Sequence, residues 1–219
     1  MRTLAVDTAL EACQAALVAE GEVLACASEP LARGHAERLP VMVAEVMDGI
    51  AFDSLDRIAV TLGPGSFTGL RVGLAFAKGL GLALERPVIG LGTLEVLAAS
   101  AGGGAALAVA AIEARAGQVY IQAFTEGGAP LMAPDLLDPE VAAARLVELW
   151  SGGEAVVVGP GAERLAAVLP GVAIDPRPAP DVAALARLAA LRPAPSAPPR
   201  PMYLRAPDAR TIAERQTRV

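Results

Sequence analysis

The apolar positions of this chain fall into two successions of the same kind. Short apolar runs at 3–9, 12–19 and 22–28, separated by turn residues, predict three strands. A helix is expected at about 36–50, then a strand at 57–62, a helix at about 68–84, a strand at 87–90 and a helix at about 92–100. The second succession gives strands at 106–113, 118–125 and 129–133, then a helix at 139–150, a strand at 154–158, a helix at 161–168, a strand at 171–174 and a helix at 180–191. Three antiparallel strands followed by alternating helices and strands make a mixed sheet with helices on its faces. The expected architecture is therefore α/β: two lobes, each a mixed five-stranded sheet with flanking helices, around a cleft.

The repeat is also visible residue by residue. Laying Asp7 over Glu113 brings Val6 onto Ile112, Cys13 onto Val119, Ala15 onto Ile121, and Glu20-Gly21 onto Glu126-Gly127 without a gap. Further on, Gly63-Pro64-Gly65 matches Gly159-Pro160-Gly161, each after an apolar run. Gly102-Gly103-Gly104 marks the expected boundary, giving lobes at 1–104 and 105–219. The proline-rich stretch 192–201 cannot be helix or inner strand and should form an extended connector. Beyond it a polar tail, expected to be partly unstructured, runs to Val219.

Two helices carry unusual faces. In the first, Leu39, Met42, Val43, Val46, Met47 and Ile50 share one side, and Pro40 fits only if it lies in the first turn. In the second, Gly69, Gly73, Ala77 and Gly81 recur every four residues, as do Ala75, Gly79 and Ala83. Leu70, Leu74, Phe76, Leu80, Leu82 and Leu84 stand between, so this helix is apolar nearly all round and should be buried on more than one side. Small residues let a helix approach another backbone closely. Two readings stay open: both helices simply cover the first sheet, or they also pack against the same pair of helices on a partner. Arg71 and Lys78 on the second helix are then interface ion-pair residues or snorkelling cations.

Composition narrows the classes. Hydrophobic residues make up 54% of 219 and the mean hydropathy is +0.48. Much of this is alanine, and Arg71 and Lys78 interrupt the longest apolar stretch, short of the ~20 uncharged residues a spanning helix needs. Asp7 stands where a secretory leader would need its apolar core, so no leader is expected. Two cysteines, Cys13 and Cys26, suit a reducing cytoplasm. A net charge of −6 argues against independent nucleic-acid binding. The single histidine, His35, excludes zinc sites built on two or three histidines, and it should sit at a helix start or on the surface.

The block Gly63 to Gly73 (Gly-Pro-Gly-Ser-Phe-Thr-Gly-Leu-Arg-Val-Gly) joins a strand to a helix. Ser66 or Thr68 would cap that helix, whose free N–H groups could hold an anion. The other reading is a corner whose glycines serve packing. No Lys-Ser/Thr follows the last glycine, and the sixth position from Gly63 is Thr68, so neither the P-loop nor the dinucleotide fingerprint is matched.

A duplicated lobe with a carboxylate ending its first strand resembles sugar kinases, actin and the Hsp70 ATPases, where such an Asp holds magnesium through water. Here the first turn, Asp7-Thr8-Ala9-Leu10-Glu11, has no glycine to converge its N–H groups on a phosphate, and Glu11 would repel one. An autonomous actin-like ATPase or small-molecule kinase, using Asp7, is the alternative reading. More specifically, Leu4 to Ala9, His35 to Pro40, Gly63 to Gly73, Ala111 to Tyr120 and Pro201 to Arg205 stand in the order seen in the bacterial TsaB (YeaZ) family. The resemblance covers nearly the whole chain. It implies two ribonuclease-H-like lobes of the actin-like ATPase fold and a cytoplasmic role in making N6-threonylcarbamoyladenosine beside the tRNA anticodon. It also implies a non-catalytic subunit, with no metal and no cofactor of its own, that pairs with the transferase TsaD. The ATPase TsaE and a second copy are further partners, tRNA is contacted only indirectly, and ATP or ADP is placed at the partner interface. The expected partner interface is Leu39, Met42, Val43, Val46, Gly69, Leu70, Arg71, Gly73, Leu74, Ala77 and Lys78. Asp7, Thr8 and Glu113 would form a residual phosphate site, with Glu113 standing where the family pattern has the shorter Asp.

Overall fold

The computed structural model describes residues 1–204. The first sheet holds β1 (Arg2–Asp7), β2 (Ala12–Ala19), β3 (Glu22–Pro30), β4 (Arg57–Thr61) and β5 (Val88–Leu91), in the order β3-β2-β1-β4-β5. The first three strands are antiparallel; β4 joins β1, and β5 joins β4, in parallel. The second sheet holds β6 (Leu107–Glu113), β7 (Val119–Thr125), β8 (Asp135–Leu137), β9 (Ala155–Val158) and β10 (Ala173–Asp175), and its order β8-β7-β6-β9-β10 repeats the first. Parallel neighbours need crossover connections. These are α1 (His35–Val46) and α2 (Phe67–Leu84) in the first half and α4 (Pro139–Leu149) and α5 (Ala162–Ala166) in the second. Each half then ends on a helix, α3 (Thr93–Ser100) or α6 (Val182–Ala190).

On one face of the first sheet, Leu39, Met42, Val43 and Val46 of α1 and Leu74 and Ala77 of α2 pack on Leu4, Val6, Leu17, Ile58 and Val60. The opposite face is lined by small residues, Ala5, Ala16 and Ala59, and the alanine-rich α6 settles there through Val182, Leu185, Ala186 and Ala189. In return α3 sends Leu94 and Leu97 to Ala110, Ile112, Phe124 and Val158 of the second half. The expected boundary at residue 104 therefore parts the sheets but not the helices. By packing, α6 belongs to the first lobe, because a sheet with parallel strands must be covered on both faces.

Four local expectations are corrected. The third strand of the second half lies at Asp135–Leu137 instead of 129–133, where only an isolated bridge from Phe124 to Pro130 forms; Pro130 and Pro134 have no N–H to give a ladder. The second hairpin is one residue tighter than the first: Asp7 pairs with Gln14, but Glu113 pairs with Val119. A short turn at Arg115–Gly117 takes up the difference, with φ +59 at Ala116. Pro40 lies beyond the first turn of α1 yet is tolerated, on the exposed side of the helix. Finally, α2 is buried on one side only, through Gly69, Leu70, Gly73, Leu74, Ala77 and Gly81. Among the described residues it is the one helix long and apolar enough, by length and composition, to cross a membrane. Residues 192–201 form the expected connector without helix or strand, and the tail after Leu204 lies outside the described residues.

Candidate functional site

At the end of β1 the Asp7 carboxylate is fully buried. One oxygen accepts from Thr61 Oγ1 at 2.5 Å and from the Ala9 N–H at 3.1 Å, and the other accepts from Gln14 Nε2 at 3.2 Å. Burial pushes this carboxyl above the ordinary carboxylate range, and the donors Thr61, Ala9 and Gln14 hold it back in part. Thr8 Oγ1 donates to the Gly69 carbonyl at 2.7 Å inside the same lobe. Glu113, by contrast, is exposed and pairs with Arg164 Nε at 3.1 Å. Of the three residues expected to form a residual phosphate site, Asp7 and Thr8 are thus buried and bonded inside the first lobe, and Glu113 is exposed and ion-paired. Asp7 has no exposed surface, and Thr61, Ala9 and Gln14 donate to it. No group of three His, Cys, Asp or Glu side chains gathers among the described residues.

The glycine-rich corner is explained by close packing. At Gly63, φ is +111, and a β-carbon there would lie 2.7 Å from the Met202 carbonyl oxygen. The Ser66 N–H donates to the Ala9 carbonyl at 2.7 Å, and Ser66 Oγ caps α2 by accepting from the Gly69 N–H at 3.3 Å. Gly69 and Gly73 lie against Thr8. The matching Gly159 has φ +112, the same backbone at the same point of the second half.

The outer side of α1 and α2 is different in character. Between them runs a groove of about 480 Å³ lined by Ala36, Leu39, Pro40, Phe67, Thr68, Arg71, Val72, Ala75 and Phe76. Phe67 is 50% exposed and Leu82, further along α2, is 83% exposed. The residues expected at a partner interface are placed as follows. Leu39, Met42, Val43, Val46, Gly69, Leu70, Gly73, Leu74 and Ala77 all face the interior of the first lobe and are buried. Only Leu39 among them also reaches the groove floor. Arg71 is exposed and Lys78 half-buried. Of the two small-residue rows on α2, the one through Gly69 and Gly81 faces the sheet, while Ala75, Gly79 and Ala83 are exposed. The groove is lined instead by Phe67, Val72, Ala75 and Phe76, which sequence reasoning did not single out as interface residues. The signal that finds them is the pair Arg71 and Lys78: charges seven residues apart lie on one helical face and keep that face out of the core.

Beside the groove opens a larger cleft of about 930 Å³, lined from the first half by Glu11, His35, Ser66 and Phe67, from the second by Glu113, Arg115 and Tyr120, and from the segment after the connector by Met202 to Leu204. His35 starts α1 as expected, but it is buried (9% exposed), with Nε2 lacking a hydrogen-bond partner. Phe67 borders both hollows. Its ring centroid is 5.6 Å from that of Tyr203, and the Arg71 guanidinium carbon sits 3.7 Å above its centre.

The family model described as TsaD, tRNA N6-adenosine threonylcarbamoyltransferase, matches residues 28–147. The tRNA threonylcarbamoyladenosine biosynthesis protein TsaB of Escherichia coli (strain K12) is 38% identical over 169 residues, 74% of this chain and 72% of that protein. A crystal structure from Pseudomonas aeruginosa, described as an uncharacterized protein similar to peptidase YeaZ, superposes with a TM-score of 0.80 at 33% identity, over 93% of this chain and 99% of that one. YeaZ from Pseudomonas aeruginosa gives a TM-score of 0.76 at 34% identity, over 86% and 90%. With its duplicated actin-like sheets and this degree of identity, the chain belongs to the TsaB (YeaZ) family of tRNA threonylcarbamoyladenosine biosynthesis proteins.

Proposed function

We propose that this chain is a non-catalytic subunit in forming N6-threonylcarbamoyladenosine at the tRNA adenosine 3′ of the anticodon, and that it docks a TsaD-like paralogue through the outer faces of α1 and α2. The observation that carries the reading is the groove: Phe67, Val72 and Phe76 face it from a helix whose inner side already satisfies the core. A soluble chain gains by covering such a patch. The first half of this chain keeps an 18-residue α2, whereas the corresponding α5 has 5 residues, so among the described residues only the first lobe offers a two-helix face of this length. Arg71 and Lys78 flank that face as rim cations, and the same face serves self-association in the free protein. The duplicated scaffold is that of nucleotide-dependent enzymes, but Asp7 and Thr8 hold the lobe together, which favours a supporting subunit over an autonomous ATPase or kinase. A TsaE-like ATPase is a further partner of the assembled pair, tRNA is reached through the assembly, and ATP or ADP sits at the partner interface if anywhere. The site of action is the cytoplasm.

The test is co-purification with the TsaD-like paralogue of the same genome, followed by reconstitution of the modified nucleoside with and without this chain. Ala75→Glu places a carboxylate in the groove without removing any core contact. It should abolish pairing and modification together while leaving the thermal unfolding of the chain unchanged at concentrations where the chain is monomeric. Modification at full rate without this chain, or normal pairing by Ala75→Glu, refutes the reading.

A further inference from the structure

We propose that the segment Pro201–Leu204 is itself part of the docking face, with Tyr203 as the residue that positions Phe67 and Arg71 for the partner. The inference rests on the docking reading of the α1–α2 groove. The segment arrives from the far side of the first sheet, where Arg57 Nη1 donates to the carbonyls of Ala189 and Arg192, at 2.7 Å each. It is then fastened next to β4: the Met202 N–H donates to the Leu62 carbonyl at 2.7 Å. Its carbonyl occupies the space that a side chain on Gly63 would need. The glycine of the corner and the Pro-Met-Tyr-Leu segment after the connector are thus two halves of one fitting.

What the fitting delivers is Tyr203. Its ring packs on Phe67, and Arg71 lies over Phe67 while its Nε donates to the Tyr203 hydroxyl at 3.3 Å. Phe67 stands in the first turn of α2 and is half exposed, as is Tyr203 at 46%. A fastening meant only to seal the lobe would bury these rings. Left half open beside the groove, they extend its apolar surface and present a cation at its rim, fixed before any partner arrives. Side chains held in their bound arrangement lose less freedom on association, which raises affinity without a new contact. Tyr203 is therefore a positioning residue whose effect passes through Phe67 and Arg71.

The experiment measures affinity for the TsaD-like paralogue by isothermal titration with the full chain, using Tyr203→Ala, Tyr203→Phe and the groove variant Ala75→Glu, each with its unfolding midpoint recorded. Tyr203→Ala should weaken binding about tenfold, the scale of the one aromatic pair it removes. Tyr203→Phe keeps the stack and should retain most of the affinity, and only Tyr203→Ala should lower the midpoint, slightly, because it gives up a half-exposed ring pair. Wild-type affinity in Tyr203→Ala, alongside lost binding in Ala75→Glu, overturns the role of the segment and leaves the groove intact. A loss in Tyr203→Phe as large as in Tyr203→Ala overturns positioning by the stack. Wild-type affinity in Ala75→Glu overturns the docking reading itself.

Discussion

Thr8 Oγ1 lies 2.5 Å from the point a β-carbon on Gly73 would occupy, while donating to the Gly69 carbonyl at 2.7 Å. The turn after β1 and the second turn of α2 are in this way locked together, and residue 73 has no freedom to grow. Gly73→Leu is expected to destabilise the first lobe by about 1–3 kcal/mol, the usual range for overpacking a filled core, and so to lower the urea midpoint of the isolated chain. It would also weaken docking, but only as a consequence. A Gly73→Leu protein with an unchanged midpoint would contradict the contact.

Gly79 is on the same helix and behaves oppositely, because a β-carbon there meets nothing within 4 Å. Glycine in a helix interior is less favourable than alanine by about 0.8–1.0 kcal/mol. Gly79→Ala should therefore raise the unfolding midpoint of the monomeric chain by an amount of that size. A fall would mean that the outer face of α2 is covered in the folded protein.

These two glycines show where the sequence was informative and where it stopped. The duplicated sheet order and the paired Gly-Pro-Gly corners were legible because apolar runs and turn residues are local signals. Periodicity also marked α2 as apolar on every side. It could not say which of the two small-residue rows met Thr8 and which met solvent, because both rows have the same spacing. The charges at Arg71 and Lys78 carried that information. The exchange of α3 and α6 between lobes was not legible either: an alanine-rich helix advertises a face, not the sheet that accepts it. The same holds for the clasp of Tyr203 on Phe67 and for the filling of the Asp7 site by Thr61 and Gln14, where residues distant in the chain meet only once it has folded.

The two thiols should differ sharply. Cys13 is fully buried in the first lobe, and burial is the main cause that pushes its thiol up to about 11. Cys26 is exposed on the edge strand β3, although partial burial also raises its pKa. Since the thiolate is the reactive form, one equivalent of a maleimide should label the native protein at Cys26, with Cys13 reacting only after denaturant is added. Mass spectrometry of the digested adduct reads this directly. Rapid native labelling of Cys13 would mean that the β2 face of the first lobe opens to solvent.

Asp7 gives the pH dependence. In the unfolded chain its carboxyl ionises near the ordinary aspartate value of 3.8, whereas burial raises it in the fold. Above that pH the folded state retains a proton the unfolded chain has released, so stability falls as pH rises through the raised value. The contribution is full below the unfolded pKa and is lost above the folded one. Asp7→Asn cannot ionise and lacks this slope. Its amide oxygen can still accept from Thr61 and Ala9, but its amide nitrogen would meet Gln14 Nε2, another donor, at a pH-independent cost. Relative to wild type, the variant should therefore be at its weakest near pH 4 and gain steadily toward pH 8. Melting temperatures of both proteins across that range decide the matter: a difference that stays constant with pH would show that Asp7 keeps an ordinary carboxylate pKa in the fold, against its complete burial.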